Sequence, residues 1–263
     1  MKALCKVLSL AVFMVMVSGQ YALAHDFWIN THNEAPGQNL VIEIGYGHGF
    51  PNTEPIPEAR TKLFDPPVLI GKDGPVPVKK GDRTNYDFVS EKPVESGTYI
   101  AADSYKPTFW SKDKDGKWDM KNKKEMANVE LCERSTRFAK KIVNVGGVND
   151  YSVTTPLGHD LEIVPLNANT AQAKVGEYFA FQVLFKGKPQ KGVKISGLPA
   201  NFHHHEEAKA FTIVTDKDGK FDFKPLKGGL WLLKAIHDPA FDDLSVCDLD
   251  YFDAFLAFEV SEK

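Results

Sequence analysis

Tyr178-Phe179-Ala180-Phe181-Gln182-Val183-Leu184-Phe185-Lys186 is the stretch on which the fold turns. Phe179, Phe181, Val183 and Phe185 occupy every second position, and in an extended chain successive side chains point to opposite faces. The run is therefore a β-strand with one apolar face. Outward from it the same pattern recurs at residues 161–166, 193–196, 211–215, 220–223, 231–237 and 251–260. The last of these puts Phe252, Ala254, Leu256, Phe258 and Val260 on one side. Short alternating strands separated by turn residues predict a β-sandwich.

Towards the N-terminus the signal weakens. Residues 25–30 form a short apolar strand, and residues 40–48 alternate, with Leu40, Ile42, Ile44, Tyr46 and His48 on one face. Residues 51–120 are rich in proline, glycine and charge, with short strands near 68–70, 86–89 and 98–103. Over 123–141, Met126, Val129, Leu131, Phe138 and Ile142 make a loose stripe that predicts one helix. The expected organisation is mainly β: two sandwich-like domains, 25–160 and 161–263, with a helix in the first.

Residues 1–24 read as a secretory signal. Lys2 and Lys6 precede the apolar run 8–17, and Ala22-Leu23-Ala24 places small residues at both cleavage positions. The apolar run is shorter than the roughly 20 residues a membrane helix needs, and no later segment is long and apolar enough. A periplasmic or secreted protein with no membrane span after processing is expected. The formal net charge of −3 over 263 residues disfavours nucleic acid, which demands clustered basic residues. Cys5 leaves with the signal. Cys132 and Cys247 remain, as one disulfide or as two buried thiols.

Two resemblances extend this reading. Lys186-Gly187-Lys188-Pro189 with Gly192-Val193, then 215–221 and Gly229-Leu230-Trp231, resemble transthyretin-like, carboxypeptidase-regulatory-type sandwiches, which implies an immunoglobulin- or transthyretin-like build. Ala24-His25-Asp26-Phe27-Trp28, Tyr46-Gly47-His48-Gly49-Phe50, the run 156–166 and the run 229–237 resemble domain-of-unknown-function family 4198. Those are exported bacterial proteins often labelled periplasmic components of cobalt or nickel uptake. The resemblance implies a periplasmic location and a transition-metal role.

The histidines carry the chemistry. Imidazole suits nickel, copper, zinc and iron. His25 opens one strand, His48 ends a second and His237 ends a third, each in register with core residues. If these tips share one end of the molecule they converge on a metal site. The bland alternative is that each caps the core and bonds to backbone. His203-His204-His205 is a second candidate, since His203 and His205 project to one side of an extended chain. A solvated loop is its alternative. His32 and His159 read as surface or core residues.

Cleavage after Ala24 would give His25 a free α-amino group beside its imidazole. The third mature residue is Phe27, so the chelate that needs histidine third is excluded, and a brace of amine, imidazole and a second histidine remains. Residues 113–119 and 216–220 read as Asp-Gly turns, without the terminal glutamate of a calcium loop. Neither Gly-x-Ser-x-Gly nor His-Glu-x-x-His occurs, so hydrolases have no foothold. The expected function is periplasmic binding of nickel or cobalt by ligand exchange, not catalysis, with delivery to a membrane metal permease. Copper or zinc is possible at the same residues. The alternatives are a copper protein with a histidine brace, for buffering or oxidation, and a metal-free module that binds protein or glycan.

Overall fold

The computed structural model describes residues 25–151, 153–202 and 208–262. The described residues are mainly β, in three sheets. The central sheet has ten strands and runs Phe211–Val214, Lys194–Pro199, Gly229–His237, Leu249–Ser261, Val129–Val145, Gly97–Asp113, Val68–Gly71, Gly74–Val76, with Ala173–Lys174 and Trp118–Asp119 at its margins. A first cover of four strands is ordered Asp26–His32, Val41–Gly47, Asp87–Ser90, Val78–Lys80. A second cover is built around Phe179–Phe185, with Leu161–Pro165 on one edge and Lys188–Pro189 and Lys220–Phe223 on the other.

Alternation decides which cover each side chain of the central sheet meets. Phe138, Ile142, Leu233 and Leu256 pack with Phe179 and Phe181 of the second cover. Ala139, Val143, Leu232 and Phe255 pack with Phe27 and Ile42 of the first. The sheet is thus buried on both faces, one core on each. The boundary expected near residue 160 falls where the chain leaves the central sheet to build the second cover. Val129–Val145 from one side of that point pairs parallel with Leu249–Ser261 from the other, so the two halves share a sheet. Cys132 and Cys247 form a disulfide beside that pairing, with Cα atoms 4.9 Å apart.

The helix expected over 123–141 is corrected: the segment enters the strand Val129–Val145, and the one α-helix among the described residues is Glu58–Thr61. Three of the charges that mimicked the polar side of a helix, Arg137, Lys140 and Lys141, are buried. Lys140 Nζ donates to Glu162 at 2.6 Å and Lys141 Nζ to Glu34 at 3.0 Å, one on each face of the sheet. A strand covered on both sides loses the polar alternation by which strands are recognised.

The two Asp-Gly segments are turns. Asp113 Oδ1 accepts from the backbone N–H groups of Asp115 and Lys117, and Asp216 Oδ1 from those of Asp218 and Lys220. In each case the carboxylate is used within the loop.

Candidate metal centre

Register brings two of the predicted histidines together. Asp26–His32 and Val41–Gly47 pair antiparallel, and their last partners are Asp26 and Gly47. His25 and His48 therefore stand opposite one another, one step beyond the ladder. Their ring centroids are 4.2 Å apart. His25 also stacks flat on Tyr46, at 4.4 Å and 7°, which fixes one face of the imidazole against the core.

A third group arrives from the loop after Gly47. The Glu54 backbone N–H donates to the Tyr46 carbonyl at 2.8 Å, and Asn52 N–H donates to the Gly49 carbonyl at 2.8 Å, so residues 48–54 double back over the strand end. Asn30 Nδ2 holds the loop by donating to the Pro51 carbonyl at 3.0 Å. Gly47 makes the close approach possible: its φ is +143°, and a Cβ there would lie 2.8 Å from Glu54 Oε1. The carboxylate accepts from His48 N–H and His48 Nδ1, both at 2.9 Å. His25 Nε2 lies 3.4 Å from Glu54 Oε2.

The ligand atoms of His25, His48 and Glu54 all fall within 4.8 Å of one another. Metal–nitrogen and metal–oxygen bonds of about 2.1 Å place neighbouring donors roughly 3.0–3.4 Å apart. The His25 Nε2–Glu54 Oε2 separation of 3.4 Å has that length already, and His48 Nδ1 stands slightly closer, 2.9 Å from Glu54 Oε1. The Glu54 side chain is 45% exposed, so the centre is open on one side to an incoming ion.

The electrostatics suit a cation. Burial, followed by the neighbouring charge of His48, lowers the pKa of His25 to about 4 even though Glu54 opposes the shift. The ring is neutral at physiological pH and has a lone pair to offer. Burial alone would raise Glu54, but the hydrogen bonds from His48 outweigh it and hold the carboxyl below its ordinary value. Coordination through His48 Nδ1 would replace its hydrogen bond to that carboxylate and leave the ring proton on Nε2.

His237 does not join them. It follows Leu233 and Ala235 on the second-cover face and packs edge-on against Phe185, with centroids 4.5 Å apart. Tyr46, under His25, belongs to the core on the opposite face. His203 and His205 lie outside the described residues. Phe202 and Lys209 line a small recess together with Asp26 and His48. His32 meets Glu43 at 3.3 Å, and His159 stacks on Phe138 at 4.9 Å. Glu54 was not foreseen. It sits in a proline-rich run without alternation, and no spacing rule links it to His25.

The family described as Domain of unknown function (DUF4198) matches residues 22–238. No curated protein matches the chain. Among solved structures, the D0-D1 domain of Intimin is 11% identical, with 89% of this chain and 97% of that one covered, at a TM-score of 0.24. Fibronectin(III)-like modules of Clostridium thermocellum CbhA are 10% identical, covering 89% and 94%, at a TM-score of 0.20. Likenesses at these scores carry no argument about this chain's site.

Proposed function

The chain belongs to the DUF4198 family, and we propose that it binds a divalent transition-metal ion, nickel or cobalt, through His25, His48 and Glu54. The observation that carries this reading is the approach of two imidazoles and one carboxylate to within 4.8 Å. Nitrogen with a single carboxylate suits borderline metals better than calcium or magnesium, which prefer all-oxygen sites. Three protein donors leave coordination positions open. An ion so held exchanges readily, as cargo passed from an exported carrier to a membrane permease must do.

The ring orientation separates this from the copper brace. A brace chelates through the α-amino nitrogen and Nδ1 of the same histidine. Here Nε2 is the atom that faces Glu54, and it is too far round the ring to close a chelate with its own amine. The brace therefore requires the His25 ring to turn over. In the three-donor site the amine is dispensable.

Titration with cobalt(II) and nickel(II) tests the proposal. His48→Ala and Glu54→Gln are each expected to weaken binding at least tenfold. Binding unchanged in both variants would refute the centre. Adding one residue before His25 is expected to leave affinity and spectrum unaltered. A large loss on extension, with copper preferred, would replace the carrier reading by the brace.

A further inference from the structure

Behind the His25 ring lies an interior set of charges that the metal site does not itself use. Lys234 Nζ donates to Asp26 Oδ1 at 2.7 Å and stands 3.6 Å from Asp253 Oδ2. Arg137 Nε is 3.7 Å from Asp253 Oδ1, and Arg137 Nη1 donates to the backbone carbonyl of His25. Lys209 adds a second cation 3.7 Å from Asp26. Asp253 is completely buried, and neither of its oxygens has a direct hydrogen bond.

Stability alone does not account for such a set. Buried ion pairs are often matched or bettered by apolar side chains of similar volume. What these charges do share is a destination. From strands 112 and 208 residues away in sequence, Arg137 grips His25 by its carbonyl and Lys234 grips Asp26 by its side chain. Asp253 lies between the two cations and balances them. Residues at a chain end fray unless tied down, and processing after Ala24 would make His25 and Asp26 the first two residues.

We propose that Arg137 and Lys234, with Asp253 between them, are positioning residues that clamp the His25-Asp26 pair and so keep the His25 imidazole against Tyr46, His48 and Glu54. The purpose of the clamp rests on the metal reading above, but its geometry does not. A ligand in place for only a tenth of the time weakens apparent affinity tenfold. That is the scale of effect the clamp prevents.

The experiment compares Lys234→Met and Asp26→Asn with the unaltered protein and with Ile163→Val, a mild change in the second cover, whose core lies on the far side of the central sheet. One readout needs no metal: the NMR resonances of the His25 ring, displaced by the flat stack on Tyr46. Lys234→Met is expected to move them towards free-imidazole values and Asp26→Asn to do so less, while Ile163→Val lowers thermal stability and leaves them in place. Lys234→Arg is expected to restore them. The second readout is cobalt(II) affinity, expected to fall about tenfold in Lys234→Met and to hold in Ile163→Val.

Unchanged His25 resonances in both clamp variants would overturn the proposal, whatever cobalt does. If the resonances move while the unaltered protein takes no cobalt, the clamp stands and the metal centre falls. Asp26→Asn keeps the side-chain shape, so it carries the test should Lys234→Met fail to fold.

Discussion

Gly45 shows how much a single missing Cβ decides. A Cβ built there would lie 2.0 Å from Trp28 Nε1 and 2.2 Å from Cδ1, and Trp28 is fully buried with Phe50 edge-on beside it. The ring cannot retreat. Gly45→Ala is therefore expected to cost about 2 kcal/mol or more, as overpacked cores do, in urea unfolding. Gly49→Ala, with open space at its Cβ, is expected to stay within about 0.5 kcal/mol. Equal costs at the two positions would contradict this packing. The candidate ligands differ in how far the sequence exposes them. His25 and His48 stand at the ends of alternating runs, so their placement at strand tips is readable. His237 has the same signature, yet the sheet separates it from them. Alternation says which residues share a face and not which cover that face meets. Glu54 depends on a loop folding back through the Tyr46 carbonyl, a tertiary event with no periodic trace.

At the scale of elements, the difficult strand was Val129–Val145. Its apolar and charged residues follow neither a clean period of two nor of 3.6, because both faces are inside and Lys140 and Lys141 find carboxylates there. In the second cover, Phe179–Phe185 and Lys220–Phe223 are legible because their buried residues alternate with more exposed ones, whereas Leu161–Pro165 is buried throughout. Leu161–Pro165 opens just after His159, whose imidazole is pressed on Phe138 with Nδ1 buried and unbonded. Burial lowers its pKa to about 4, against the pull of Glu162. An unfolded histidine titrates near 6.5, so between about pH 6.5 and 4 the unfolded chain holds the extra proton. Stability is therefore full above pH 6.5, declines as pH falls towards 4 and levels off below, as far as His159 governs it. His159→Phe keeps the aromatic stack and is expected to flatten this part of a melting-temperature profile. A slope identical to that of the unaltered protein would contradict the assignment.

For the whole molecule, the central fact is one sheet serving two cores. The sequence pattern changes near residue 160, and strands from both sides of that point lie in one sheet. The parallel pairing of Val129–Val145 with Leu249–Ser261 was not readable, because long-range strand pairing leaves no local signal. The Cys132–Cys247 disulfide closes a loop of 115 residues across that junction, which in the loop-entropy model stabilises by roughly 4–5 kcal/mol. Reduction is expected to lower the urea midpoint accordingly; a loss below about 1 kcal/mol would assign the junction's strength to the shared sheet instead. His25, whose carbonyl and neighbour are held from Arg137 and Lys234, depends on the same assembled sheet. The most direct test of a metal centre at that point is anomalous diffraction from crystals of the processed protein grown with nickel or cobalt. The expected result is a single strong peak about 2.1 Å from a ring nitrogen of His25, one of His48 and an oxygen of Glu54. A peak confined to other residues, or none at those three, would contradict the proposed function.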